Sequence, residues 1–207
     1  MNTAFFSRIW KLLSVPLYVV IFSFIALVIY RIPAVIEKQK TEEAVLHIHE
    51  QKITLDDVMG AKLPPEPNQE LNDSTIKGID ANGNGIRDDV ELAIFKEYPN
   101  SAKTRAVLLQ YALALQMEAV QPIVNTGTVT EVVREQSRAY SCVGKILSRT
   151  DMDKYIKESD GLRLFVSERQ RNTSERKKAR KDFVEKIGSY SESENEVCDI
   201  DISALPN

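Results

Sequence analysis

The sequence predicts an all-α protein, with one N-terminal transmembrane helix followed by a small helical bundle. Three observations carry this. The run Leu12–Tyr30, LLSVPLYVVIFSFIALVIY, holds no charge. From Asp88 almost to the end, apolar residues recur at helical spacing, and no stretch alternates as a strand would. Between the two lies a segment of proline, glycine and asparagine, suited to a spacer and a loop. The chain has 207 residues, with 27 basic and 30 acidic side chains and a net charge of −3. Its apolar and charged contents are those of a globular protein, which excludes a wholly disordered chain. Its slight acidity argues against a dedicated nucleic-acid binder.

The N-terminal run is read as a membrane anchor. As a helix, residues 12–30 span about 28 Å, close to the hydrocarbon core of a bilayer. Trp10 and Tyr30 flank the run at interface positions, and Arg8, Lys11 and Arg31 bracket it with charge. Pro16 is placed in the first turns, where its missing N–H costs least. A cleaved signal would be shorter and would end in a small-x-small site, which is absent here: Ile32 stands three residues before the site that Ala34 would close. A buried core helix is the remaining alternative. The basic residues on either side nearly balance, so charge alone does not orient the anchor.

Residues 35–51 suit a juxtamembrane helix with a charged surface. The segment LPPEPN over 63–68 breaks it, because Pro64, Pro65 and Pro67 favour extended backbone. It reads as a stiff spacer. Asp88, Asp89 and Glu91 give an acidic first turn to the next helix, and Pro99 stops it. Ser101 is the predicted N-cap of a helix running to about Gln121. That helix is apolar on two faces, one through Leu109 and Leu113 and one through Leu108 and Leu115, which predicts a central position. A third helix is expected over 128–149, with Val129, Val132, Val133, Tyr140, Val143 and Leu147 as its stripe. A fourth is expected from about Ser159, breaking near Asn172–Ser174 and resuming toward Ile187. The acidic tail from Ser189 is expected to be extended or mobile.

One motif carries chemistry. Residues 80–91 read D-A-N-G-N-G-I-R-D-D-V-E and satisfy the twelve-residue template D-x-[DN]-x-[DN]-G-x5-E. Calcium is a hard cation that takes about 6–8 oxygen ligands. Asp80, Asn82 and Asn84 set three short oxygen-bearing side chains at alternate positions. Gly85 permits the sharp turn, Ile86 offers its carbonyl, and Asp88 acts directly or through water. Glu91 stands in the first turn of the exiting helix, where it can chelate with both oxygens. The competing reading is an Asn/Gly turn capped by acids at a helix start.

The motif resembles an EF-hand loop, and more closely the solitary EF-hand-like loops, dockerin-type and thrombospondin type 3-type, of bacterial envelope proteins. The resemblance covers about twelve residues and implies a lone Ca2+ site. Position eight, usually aliphatic in paired EF-hands, is Arg87; the segment before Asp80 is a poor incoming helix; and there is no second loop. Three carboxylates and two neutral amides imply weak binding, about 10⁻⁴–10⁻³ M. Such a site would fill outside the cytoplasm and not in a cytosol of submicromolar calcium.

Cys142 and Cys198 are expected to pair if the domain lies outside the cytoplasm. His47 and His49 would share a face only on a strand, and no third ligand is near. Residues 168–186 hold eight basic and four acidic side chains. They read as a solvated helix face, with an anionic partner or the acidic tail as alternatives. Asn72 and Asn172 begin Asn-x-Ser sequences, which matter only in a eukaryotic secretory setting. No nucleophile elbow, phosphate loop, dinucleotide fingerprint or zinc-protease motif occurs.

The expected organisation is a cytoplasmic tail over 1–8 and a transmembrane anchor over 9–33. A juxtamembrane helix and spacer fill 34–69, a helical domain with its calcium loop at 80–91 fills 70–190, and an acidic tail fills 191–207. The expected function is non-enzymatic: a calcium-stabilised binding or adaptor module on a bacterial inner membrane, facing the periplasm. A protein partner is possible and nucleic acid is not expected. The alternatives are a calcium-responsive regulator of a membrane complex and an enzyme whose site forms only in three dimensions.

Overall fold

The computed structural model describes residues 3–191 and 196–206, with side chains from Pro16 onward. The tail acids Glu192 and Glu194, and the side chains of Arg8, Trp10 and Lys11, lie outside the described residues. The described chain is all-helical, without a strand. It divides into two compact units, Met1–Glu42 and Glu43–Asn207.

The first unit is the greater part of helix α1, Thr3–Glu50. The helix runs without a break through Pro16 and Pro33. It begins at Thr3, so Pro16 lies in its interior rather than in its first turns, contrary to expectation. Each proline leaves the carbonyl four residues before it without an intrahelical donor. The most apolar 18-residue window of its Pro16–Glu50 part has a mean hydropathy of 2.5 and no buried residue. Phe22, Leu27, Ile29 and Tyr30 are all well exposed. This is one N-terminal helix long and apolar enough to span a membrane.

The second unit begins with the last turns of α1, where Ala44 and Ile48 are buried. Their spacing of four puts them on one helix face. Two short helices follow that the sequence reading missed. Helix α2, Leu55–Met59, starts on a Thr54–Asp57 capping box and ends at Gly60 in the left-handed region. Helix α3, Gln69–Asp73, is capped by Asn68.

The bundle proper has five helices. Helix α4, Asp88–Glu97, starts at the acidic turn as expected. Helix α5, Ala102–Val120, is capped by Ser101, whose hydroxyl accepts from Thr104 N at 3.2 Å. It is buried on all sides from Arg105 to Met117 and occupies the centre. Helix α6, Thr126–Val143, starts two residues earlier than expected because Asn125 forms a capping box. It ends at Val143, and a single 3₁₀ turn, Gly144–Ile146, follows. Val129, Val132, Val133 and Val143 are buried, but Tyr140 is exposed, with the Arg163 guanidinium 3.7 Å from its ring centre.

Helix α7, Met152–Gln170, begins seven residues before the expected Ser159. Asp151 caps it by accepting from Lys154 N at 3.0 Å. Its first turns are mostly charged and have no stripe to reveal them. Helix α8, Ser174–Val184, follows a break at Arg171–Thr173, close to where one was expected.

The tail segment 196–206 is pinned, not free, among the described residues. Cys142 and Cys198 are disulfide-bonded, with Cα atoms 5.2 Å apart and a sequence separation of 56. Beside the bridge, Gln110 donates to Val197 O at 3.0 Å and accepts from Asp199 N at 3.1 Å. The Arg138 guanidinium holds the Asp199 carboxylate, and both side chains are almost wholly buried. Asp199 also accepts from Ile53 N at 3.2 Å, which ties the tail to the segment leaving α1. A buried acid with such partners anchors a strap.

Candidate metal centre

The loop 80–91 closes on its own first residue. The Asp80 carboxylate accepts from Gly83 N at 2.9 Å and from Gly85 N at 3.0 Å. Both glycines have φ in the left-handed region, 73° and 83°. They differ in space. A Cβ at Gly83 would meet nothing within 4 Å, whereas one at Gly85 would lie 2.7 Å from Leu113 Cδ1 on α5. Gly85 is therefore needed both for its backbone and for the close approach of the loop to the central helix.

Asn82 and Asn84 turn their side chains back over the loop. Asn84 Oδ1 accepts from Ile86 N at 2.9 Å, and Asn82 Oδ1 accepts from Asn84 N at 3.4 Å. Their amide nitrogens converge on Glu91: Asn82 Nδ2 donates to one carboxylate oxygen and Asn84 Nδ2 to the other, each at 3.0 Å. Asn82 Nδ2 also donates to Lys62 O at 3.0 Å. Glu91 projects from the first turn of α4 and is 1% exposed. Burial pushes its carboxyl up to about 7, against the two amide bonds and with the charges of Asp57 and Asp88 adding to the shift.

Asp88 seals the base of the loop. Its carboxylate accepts from Ala81 N at 3.0 Å, and its own N–H donates to Ile79 O at 2.9 Å. It is wholly buried, and burial with the nearby charges of Asp80 and Asp89 raises its pKa. Ile86 is wholly buried in the core.

Of the six residues expected to bind metal, Asp80, Asn82, Asn84 and Glu91 thus stand together in one hydrogen-bonded loop, with Asp88 at its base and Ile86 beneath it. Among the described residues, no three His, Cys, Asp or Glu side chains are grouped as a metal cluster. The donor set combines three carboxylates with two side-chain amides and one backbone carbonyl, and its all-oxygen chemistry fits a hard cation. The fit rests most on Glu91: it is a buried carboxylate met only by neutral amide donors, an arrangement that favours taking up either a proton or a cation.

Arg87, which interrupts the paired EF-hand pattern, has a structural use that sequence reasoning missed. It is wholly buried. It pairs with Asp89 and donates to the carbonyls of Arg169 and Gln170 at the end of α7, the latter at 3.2 Å. Helix C-termini leave carbonyls without partners and carry partial negative charge, so a guanidinium fits there. Arg87 therefore fastens the loop to α7. An arginine beside a helix-starting acid was the only sequence signal for it.

The other candidates separate in the structure. His47 and His49 lie on α1, and His49 Nε2 sits 3.1 Å from Glu131. Much of the basic stretch is used internally. Arg171 and Arg180 both pair with Glu118, and Arg176, buried, reaches Asp73 at 2.7 Å. Arg169 lies over the Phe165 ring at 3.7 Å, and Lys178 pairs with Asp182. The described tail packs on α5 and α6 through Gln110 and Arg138 rather than on this stretch. Comparisons of the chain with family models, with curated proteins and with solved structures find no match.

Proposed function

We propose that this protein is a membrane-anchored helical module that binds one Ca2+ in the loop 80–91, the ion serving mainly to hold the fold, and that it acts as a binding or adaptor protein outside the cytoplasm. The observation that carries the reading is Glu91. Its carboxylate is buried, raised toward neutrality, and surrounded by oxygen-bearing residues in calcium-loop order. Asp80, Asn82, Asn84, the Ile86 carbonyl and Glu91 would hold the ion, with Asp88 direct or through water. Bound calcium supplies the positive charge that keeps Glu91 ionised. The chain's own part is to fix the geometry: Gly85 against Leu113, Arg87 on α7, and Asp88 on the backbone of Ile79 and Ala81.

The Cys142–Cys198 bridge supports an oxidising compartment, hence a periplasmic domain behind an inner-membrane anchor. The test is thermal unfolding of the full-length protein in detergent, with millimolar calcium or with chelator. At tenfold Kd, calcium should add about 1.4 kcal/mol. That is a rise of roughly 3–6 °C for a domain of this size. Glu91→Ala should abolish it. Equal melting with calcium and with chelator would defeat the reading.

A further inference from the structure

The loop contains the dipeptide Asn-Gly twice, at Asn82–Gly83 and Asn84–Gly85. Asparagine is among the chemically labile residues. Its side-chain amide is open to attack by the next backbone nitrogen, most easily when that residue has no side chain to hinder the approach. The sequence therefore presents two equivalent reactive bonds, and the structure makes them unequal.

Gly83 is exposed, and the space where its Cβ would stand is open. Asn82 is half-buried, its side-chain oxygen held only by a long 3.4 Å bond from Asn84 N. Asn82, Gly83 and Asn84 line an open cavity of about 620 Å³. Gly85 does not line it. Gly85 is wedged against Leu113, and the buried residues Ile86, Arg87 and Asp88 follow it. Asn84 Oδ1 is held at 2.9 Å by Ile86 N. For ring closure the Asn–Gly peptide must rotate. At Gly83 that motion costs the Asp80 hydrogen bond, together with the Asn82 amide's bonds to Lys62 O and Glu91. At Gly85 it costs the equivalent Asp80 bond and the Asn84 amide's bond to Glu91, and in addition the packing on α5, which has no counterpart at Gly83.

We propose that Asn82–Gly83 is a site of intramolecular deamidation, and that Asn84–Gly85 is shielded from the same reaction by its packing on α5. The Gly83 nitrogen attacks Cγ of Asn82, and a new C–N bond closes a five-membered succinimide. The Cγ–Nδ2 bond breaks, and the nitrogen leaves as ammonia with the proton given up by Gly83. Water then opens the ring at either carbonyl, giving aspartate or isoaspartate at position 82. Nothing is oxidised or reduced, and water is the only co-reactant.

The consequence follows from the contacts. Asn82 Nδ2 is one of the two donors on Glu91. Aspartate there sets a carboxylate against a buried carboxyl, which without a cation favours opening of the loop. If the loop binds calcium, as proposed above, aspartate adds a charged ligand and tightens binding. Isoaspartate lengthens the backbone between Asp80 and Asn84 and weakens the site. Only these affinity changes rest on the calcium reading; the difference in reactivity does not.

The test is peptide mass spectrometry on the full-length protein in detergent, aged at mildly alkaline pH with chelator, both folded and in denaturant. In denaturant both asparagines should convert at similar rates. In the folded protein Asn82 should convert at least about tenfold faster than Asn84, a barrier difference of roughly 1.4 kcal/mol. Gly83→Ala should slow Asn82, and Leu113→Ala should speed Asn84. Equal rates in the folded protein, or no conversion at Asn82 while the denatured chain converts, would overturn the proposal. A slow Asn84 in denaturant would also overturn it, since the packing would then not be the cause. Because every rate is read in chelator, failure here is separate from failure to bind calcium.

Discussion

Replacing Glu91 by glutamine should change how stability depends on pH, and in opposite senses without and with calcium. In the metal-free protein the Glu91 carboxyl titrates near 7, against an ordinary value of 4.5. The folded state therefore holds the proton more tightly than the unfolded state. For a raised pKa the stabilisation is complete below about 4.5 and is lost as pH rises through about 7. The gap between 4.5 and about 7 amounts to roughly 3 kcal/mol of tighter proton binding in the folded state. Glutamine cannot ionise and keeps an oxygen to accept from Asn82 or Asn84; the other amide can turn over. In chelator, Glu91→Gln should thus gain about 3 kcal/mol on the wild type between pH 4 and pH 8. That is a relative rise in Tm of roughly 6–12 °C. The assay is thermal and urea unfolding of both full-length proteins in detergent across that range. The comparison cancels the other titrating groups, including Asp199 and Glu135, which burial also raises. With saturating calcium at pH 8 the order should invert, because the ion needs the carboxylate. Parallel pH profiles in chelator would refute the reasoning about Glu91.

Other perturbations test the frame around the loop. Gly85→Ala should cost more than Gly83→Ala in urea unfolding: each pays about 1 kcal/mol for left-handed backbone, and only Gly85 adds a further 1–3 kcal/mol of overpacking against Leu113. Asp199→Ala should destabilise by about 3 kcal/mol, toward the low end for a broken buried pair because Arg138 keeps Glu135 and the Glu196 carbonyl, measurable by the same method. Reducing the Cys142–Cys198 bridge, or replacing both cysteines by serine, should lower stability by about 4 kcal/mol on the chain-entropy argument for a closed loop of this length.

Much of this structure follows from local signals. Asp88 as a helix start, Ser101 as a cap and the two apolar faces of α5 are properties of a few neighbouring residues, and each stands where the sequence predicts. The pairing of Cys142 with Cys198 is the single pairing that two cysteines allow. The loop geometry is also local, since Asp80, Asn82 and Asn84 bond to backbone nitrogens within five residues.

The parts that escaped are long-range. Arg87 finds its partners 82 and 83 residues away, and Arg138 finds Asp199 61 residues away. A sequence records such residues only as charges. The first turns of α7 escaped for another reason. Lys154, Lys157 and Glu158 are exposed there, so the helix has almost no buried stripe until Ser159. The burial of Glu91 was not legible either. Its place in the motif was plain, but its raised pKa comes first from burial under long-range packing, with a smaller share from Asp57, which stands on the short helix α2 that the sequence reading missed.

The most direct test of the central claim is equilibrium dialysis of calcium against the full-length protein in detergent at pH 7–8, with Glu91→Ala alongside. The account predicts saturable binding of a single ion with Kd about 10⁻⁴–10⁻³ M, lost in Glu91→Ala. No saturable binding through that concentration range, or binding unchanged in Glu91→Ala, would contradict it and leave the loop as an Asn/Gly turn at the start of α4.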